Sequence, residues 1–258
     1  MEKINIIKVG GAVVENAAAL KAFLQSFTAL EGHKVLVHGG GRKATDISTR
    51  LGIESRMVNG RRITDADTLE VVTMVYGGLV NKGIVAQLQA MGVNALGLTG
   101  ADMGIILSHR RPVMNGTDYG YVGDVDRVDG NALKSLIDTG VTPVIAPLTH
   151  DGRGTMLNTN ADTMAAETAR GLASLYEVTL TFCFEKAGVL AHPDDDSTLI
   201  KTITPDNFTA LLADGTISGG MIPKIENALA AVRSGVRKVV ITSAKSLSDK
   251  KSGTTVTL

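Results

Sequence analysis

Two short β-branched runs that each stop at a cluster of glycines constrain this chain more than any other feature. They read INIIKVGG, ending at Gly11, and VLVHGGG, ending at Gly41. An apolar run of this length bounded by glycine reads as a buried strand emptying into a tight loop. Glycines leave backbone N–H groups free to approach an anion closely, and a helix beginning just beyond adds its positive end. The two strands are therefore expected to aim two loops at anionic oxygens. Lys8, two residues before Gly10, falls at the C-terminal edge of its strand, where open α/β sheets place their ligands.

Composition narrows the classes. With 258 residues and 44% apolar content, the chain can fill one large α/β domain or two modest lobes. Twenty-six acidic against 26 basic side chains give zero formal charge, so nothing favours a non-specific grip on nucleic acid or an anionic membrane. The one cysteine, Cys183 in the run TFCF, reads as core filling rather than as a nucleophile. No signal-peptide pattern precedes the first strand and no apolar run approaches about 18 residues, so a cytoplasmic, soluble protein is expected.

Periodicity predicts a strand over 3–9, a helix over 15–30, a strand over 35–38 and a helix through 51. A rim hairpin follows over 55–63, with Asn59-Gly60 as its turn. Asp65 is placed to cap the longest helix, 65–91, whose apolar residues recur at three- and four-residue intervals around Gly77, Gly78 and Gly83. Those residues cover more than one helix face, which points to a partner beyond the helix's own sheet. Next come a strand over 95–99, a peripheral β-ribbon over 105–128, a helix over 131–138, a strand over 142–146 and a helix over 161–173. Beyond 176 the pattern partly repeats: strand 178–183, a hairpin around Pro193, helices 206–213 and 221–233, and strands 238–242 and 254–258. Such alternation argues for an α/β chain with a mainly parallel sheet covered on both faces.

Several phosphate chemistries are excluded. The chain has no Gly-Lys dipeptide and so no P-loop, and no complete G-x-G-x-x-G. His38-Gly39-Gly40-Gly41 could form an esterase oxyanion loop, but that reading requires a G-x-S-x-G elbow, which the chain lacks. Two further elements remain. Asn158-Thr159-Asn160-Ala161-Asp162 stands where a strand meets a helix and, alone, reads as a cap and turn cluster. Gly219-Gly220-Met221-Ile222-Pro223-Lys224 is a third glycine loop entering a helix, with Pro223 in its first turn. The acidic triplet Asp194 to Asp196, beside Pro193, reads as a solvated turn rather than a metal site.

Taken together, Lys8-Val9-Gly10-Gly11, His38 to Gly41, Asn59-Gly60-Arg61-Arg62-Ile63-Thr64, Asn158 to Asp162 and Gly219 to Lys224 resemble the amino acid kinase family, and within it the kinases of N-acylglutamate. The resemblance covers nearly the whole chain. It implies a three-layer αβα sandwich with a mainly parallel central sheet, and transfer of the ATP γ-phosphoryl group to the side-chain carboxylate of an N-acylated glutamate, a step of arginine biosynthesis. It places phosphate-binding lysines at Lys8 and Lys224 and an organising aspartate at Asp162. Gly10, Gly11, Gly40 and Gly41 fall on loops that donate N–H groups to phosphates and the transferring group. Arg62 matches the arginine that holds the substrate's α-carboxylate, and Asn158 a residue at its amino-acid end. The resemblance further implies residues 1–175 as the acylglutamate-binding and dimerising lobe, 176–258 as the ATP lobe, Mg²⁺ arriving on the ATP phosphates rather than in a protein metal site, and a homodimer. Arginine-regulated relatives carry an extra N-terminal helix, so arginine is not expected to inhibit.

The residue types agree with that chemistry. Phosphoryl transfer depends mainly on positioning and charge neutralisation, and a carboxylate acceptor is already ionised, so no general base is needed. An arginine's planar fork suits a carboxylate. Where the family usually has an aspartate followed by valine, this chain has Phe184-Glu185-Lys186, which leaves its adenine and ribose contacts unassigned. Two alternatives stay open: a sibling kinase with another acceptor, and a ligand sensor on the same fold. The acyl group is open too. Arg42, Lys43 and Arg61 add positive charge near the substrate loops, and one of them could pair with a second carboxylate on a longer acyl chain such as succinyl.

Overall fold

The computed structural model describes residues 1–58, 60–192, 195–218, 221–249 and 252–258. Strand β1 (Lys3–Val9) runs into the short helix α1 (Gly11–Glu15), then α2 (Ala17–Thr28), β2 (His33–His38) and α3 (Gly41–Arg50). The helix predicted over 15–30 is interrupted at Asn16, whose backbone is extended and whose side chain accepts from the Ala19 N–H at 2.9 Å, restarting the helix. Strands β3 (Met57–Val58) and β4 (Arg61–Arg62) pair antiparallel as the expected rim hairpin. Its turn residue Asn59 lies outside the described residues, as do Pro193, Asp194, Gly219 and Gly220 of the other motifs.

The long helix departs from expectation in an informative way. It consists of α4 (Ala66–Val72), a π-helical stretch Thr73–Val80 and α5 (Asn81–Ala90). The Asp65 side chain caps it, accepting from the Thr68 N–H at 2.9 Å. Gly77 and Gly78 do not break the helix; its turn widens instead, and the Asn81 N–H bonds back to the Tyr76 carbonyl. Ala66–Ala90, 25 residues, is long and apolar enough to cross a membrane by length and composition, a property the sequence reading did not credit to it. Val71, Val72, Val75, Tyr76, Ile84 and Leu88 of this helix are nonetheless buried in the protein's own core, while Met74 and Leu79 stay exposed.

The remainder comprises β5 (Ala95–Leu98), β6 (Ile106–Arg110), β7 (Gly123–Val128), α6 (Gly130–Asp138), β8 (Thr142–Ile145), β9 (Leu148–His150), β10 (Met156–Asn158), α7 (Ala161–Leu172), β11 (Glu177–Phe184), β12 (Thr202–Ile203), α8 (Pro205–Ala213), α9 (Met221–Arg233), β13 (Lys238–Ser243) and β14 (Thr254–Val256). Strand β9 was not anticipated; β10 is the expected strand from which the Asn158 segment passes into its helix. The two strands form an antiparallel hairpin whose turn is organised by Asp151, its carboxylate accepting from the Arg153 and Thr155 N–H groups at 2.8 and 3.0 Å. Asp151-Gly152 was the signal available in the sequence.

Eight strands form one sheet in the order β12-β14-β13-β11-β1-β2-β8-β5, parallel except where β13 meets β14. Strand alternation divides the core between its faces. Ile4, Ile6, Val35, Val37, Leu180 and Phe182 pack under α6, α7 and α9, whereas Ile7, Val9, Leu36 and Cys183 pack under α2 and the long helix. The fold is thus the expected αβα sandwich. A four-stranded sheet, β10-β9-β6-β7, contains the β-ribbon. Alternation also decides where Lys8 goes: it follows Ile4 and Ile6 onto the face covered by α7. Because β1 continues through α2 to β2 on one side and pairs with the later β11 on the other, the chain reverses direction across the sheet beside Lys8, where such folds open a crevice.

Candidate active site

The C-terminal ends of β1 and β2 deliver the two glycine loops side by side. The Gly39 N–H donates to the Val9 carbonyl at 3.0 Å, and a Cβ on Gly39 would stand 3.2 Å from the Gly11 nitrogen, so the loops touch backbone to backbone. A Cβ on Gly11 would lie 3.8 Å from both the Gly40 and Gly41 nitrogens. The N-termini of α1 and α3 therefore converge, with Gly10 and Gly40 as their caps and no side-chain cap bond at either. That leaves donors of both helices available to an anion. One donor further along is taken, since the Glu15 carboxylate accepts from the Lys43 N–H at 2.8 Å.

Lys8 is 8% exposed, and its ammonium lies 2.7 Å from the Asp162 carboxylate. Asp162 reaches it from the first turn of α7, whose cap is Asn160, accepting from the Asp162 and Thr163 N–H groups at 2.8 and 3.1 Å. The Asn158–Asp162 segment is thus a cap cluster and a site element at once. Lys224, from the first turn of α9, lines the same cleft as Asp162. Phe184 brings the two lysines together: Lys224 Nζ is 4.1 Å and Lys8 Nζ 5.3 Å from its ring centroid. Phe184 stacks in turn on Phe182, so one aromatic ring seats both cations.

Across the glycine loops a second, open cleft is lined by Gly39, Gly40, Gly41, Arg61, Arg62, Tyr76 and Asn158 among others. Arg62 donates to Ser55 Oγ at 2.7 Å, to Thr45 Oγ1 at 2.7 Å and to the Gly41 carbonyl at 2.9 Å. These bonds tie the rim hairpin to the first turn of α3 and set the guanidinium against the cleft. Asn158 donates to Thr64 Oγ1 at 2.9 Å. Of the three extra cations, only Arg61 faces this cleft; Arg42 and Lys43 line a separate one with Glu15 and Asp46.

Beneath the loops, Asn81 donates to His38 Nε2 at 3.0 Å and to the Val144 carbonyl at 2.9 Å, while His38 Nδ1 donates to the Gly39 carbonyl at 2.8 Å. Burial draws the His38 pKa down to about 4, so the ring is neutral and acts as a fixed strut under the second loop. Cys183 is buried, and loss of solvent pushes its thiol up to about 12, consistent with core filling.

The profile of the amino acid kinase family matches residues 3–243. The chain belongs to the amino acid kinase family. It is 62% identical over 250 residues to a protein of Bacteroides thetaiotaomicron named acetylglutamate kinase, covering 97% of each chain. It is 60% identical to one of that name from Phocaeicola vulgatus, covering 99% of this chain and 98% of the relative. A Methanopyrus kandleri protein of the same name is 43% identical over 95% of this chain and 96% of its own. Among solved structures, smu.665 from Streptococcus mutans superposes with a TM-score of 0.78 at 27% identity, covering 98% of each chain. N-acetylglutamate synthase from Neisseria gonorrhoeae superposes with a TM-score of 0.83 at 22% identity, covering 99% of this chain and 59% of the synthase.

Within this amino acid kinase, the residues expected from sequence fall into two adjoining groups. Asp162 and Lys224 line one cleft, with Lys8 paired to Asp162; Gly40, Gly41, Arg62 and Asn158 line the other, and Gly10 and Gly11 lie against Gly39 of the second loop. Sequence reasoning missed Phe184, Tyr76 and the His38–Asn81 pair.

Proposed function

We propose that this chain transfers the γ-phosphoryl group of ATP to the side-chain carboxylate of N-acetylglutamate, giving an acyl phosphate and ADP, as a step of arginine biosynthesis. The observation that carries the reading is the Lys8–Asp162 ion pair, set beside converging glycine loops, with Lys8 and Lys224 against the same phenyl ring, Phe184. In this reading Lys8 and Lys224 neutralise charge on either side of the moving group, Asp162 holds their geometry, and loop N–H groups from Gly10, Gly11, Gly40 and Gly41 receive the phosphoryl oxygens. Arg62 takes the α-carboxylate through the part of its fork that faces the cleft, and Asn158 holds the amino-acid end. Mg²⁺ bound to the ATP phosphates supplies further charge neutralisation; among the described residues no group of three His, Cys, Asp or Glu side chains is arranged to hold a metal. Residues 1–175 serve as the acceptor lobe and 176–258 as the ATP lobe, in the cytoplasm. Coupled ADP release measured across N-acetylglutamate, glutamate, aspartate and carbamate tests the assignment. Turnover confined to N-acylglutamate is expected; an equal or better rate on any other acceptor overturns it.

A homodimer is part of the proposal. Met74 and Leu79 expose apolar surface on the long helix, and Leu96 does so on β5 at the open edge of the sheet; their burial against a second copy removes that surface from water. Light scattering is expected to give twice the chain mass, and a monomer mass contradicts it.

One observation favours a second reading of the acyl group. Arg61 borders both the Arg62 cleft and an adjoining pocket lined by Arg111, Asn115, Thr117 and Tyr119. Burial first and the neighbouring Arg111 cation second lower its pKa, against the opposing pull of Asp124 and Tyr119; Arg111 itself pairs with Asp124, which among the described residues leaves Arg61 the cation of this group without a paired carboxylate in the cleft lining. A second carboxylate on the acyl chain would meet Arg61 there, in a charge-assisted bond worth about 1.5–3 kcal/mol. N-succinylglutamate is then expected to exceed N-acetylglutamate by roughly ten- to a hundredfold in kcat/KM. Arg61→Ala should erase that preference, and Arg42→Ala and Lys43→Ala should keep it. Equal use of both substrates by the unaltered protein rules this reading out.

A further inference from the structure

We infer that Tyr76 is a further substrate-binding residue, whose phenol O–H donates to the same α-carboxylate that Arg62 holds. This rests on the acylglutamate reading of the Arg62 cleft. The ring is 5% exposed and lines that cleft. Its edge lies flat against the second glycine loop: a Cβ on Gly40 would stand 3.1 Å from Cδ1 and 3.3 Å from Cε1, and one on Gly41 3.9 Å from the hydroxyl oxygen. Only glycine at position 40 lets the ring come so close. The hydroxyl is thereby carried past Gly40 to the first turn of α3, where Arg62 also bonds the Gly41 carbonyl.

Burial raises the phenol's pKa above its ordinary value, the positive charge of Arg62 opposing it, so the phenol stays protonated as it would in water. The protonated hydroxyl keeps its proton to give, and Tyr76 and Arg62 line the same cleft. A neutral donor beside an arginine is a fitting complement to a carboxylate, which accepts from both without adding positive charge.

The π-helical stretch explains how one helix supplies this donor and also the strut beneath the loop. Tyr76 and Asn81 are five residues apart; in a regular α-helix they would project about 140° from each other. The bond from the Asn81 N–H to the Tyr76 carbonyl spans that interval, widening the turn. Both side chains then reach the His38–Gly41 segment: Tyr76 against Gly40, and Asn81 against His38. π-Helical insertions recur at functional sites for reasons of this kind.

Tyr76→Phe removes the hydroxyl and keeps the ring. Its KM for N-acetylglutamate is expected to rise about tenfold or more, with kcat, KM for ATP and melting temperature held. The effect should be absent with 4-acetamidobutanoate, which keeps the reacting carboxylate but lacks the α-carboxylate. Tyr76→Leu serves as a second variant, and its kcat/KM should fall on N-acetylglutamate by at least as much as that of Tyr76→Phe. An unchanged KM in Tyr76→Phe, or an equal rise on 4-acetamidobutanoate, overturns the assignment while leaving the kinase reading intact. A parallel fall in kcat and melting temperature also overturns it, because the ring would then only support the loop. If the unaltered protein does not phosphorylate N-acylglutamates, both readings fall together.

Discussion

Lys8→Met and Lys224→Met should each lower kcat by roughly a hundredfold while the fold survives. Each lysine is proposed to meet charge that develops as the phosphoryl group moves, and loss of one such donor in a water-poor site costs about 3 kcal/mol. Survival of the fold follows from the surroundings. Methionine fills a similar volume, and the Lys8 ammonium rests near the Phe184 ring, where a thioether packs well. The carboxylate left behind, Asp162, is 33% exposed in its side chain, but the Oδ1 that faces Lys8 is buried without a hydrogen bond, so Lys8→Met is expected to lower the melting temperature while Lys224→Met leaves it unchanged. Steady-state kinetics with saturating ATP, together with thermal denaturation, decide the matter. Near-normal turnover in both variants would remove the basis for the catalytic assignment, and unfolding of Lys8→Met would show the ion pair to be mainly structural.

The second large effect is expected at Arg62, and it has two separable parts. Arg62→Met removes the proposed fork for the substrate's α-carboxylate, which should raise KM for the acylglutamate by about a hundredfold. It also removes the donor to Ser55, Thr45 and the Gly41 carbonyl, so about 1–3 kcal/mol of folding stability should go with it. Arg62→Lys restores one charge without the fork and should recover part of the KM but little of the three-way tie. Chemical denaturation alongside acceptor titration separates the two. A KM unchanged in Arg62→Met would reduce this residue to a brace for the rim hairpin.

Much of this arrangement could be read from the chain. The sheet was legible because β1, β2 and β11 are β-branched runs ending at glycine or charge, and buried parallel strands leave that signature. The glycine loops, the Asp65 cap and the helix entry at Asn160 were legible because their causes are local. What escaped was of two kinds. Asn81 meets His38 across 43 positions, and no spacing rule links an asparagine inside a helix to a histidine at a strand end. The π-helical stretch was hidden for a different reason: Gly77-Gly78 reads as an interruption, whereas packing of Tyr76 on Gly40 and of Val75 and Val80 in the core holds the helix together there. Phe184 was noticed as a departure from the family pattern, yet its seat for two ammonium groups depends on α9 folding back over β11.

Cys183 has a practical consequence for following the protein in motion. It is the single thiol, sealed beneath the site with its pKa pushed up to about 12. At neutral pH the thiol is protonated, and the thiolate is the form that reacts. The chain also contains no tryptophan. A cysteine or an indole introduced on the rim hairpin or on α9 would therefore report alone, without removal of any native residue. The wild-type sequence is in effect already silent to maleimide labelling and to indole fluorescence, so a single probe placed at either position reports on its own surroundings when nucleotide is added, against no native background.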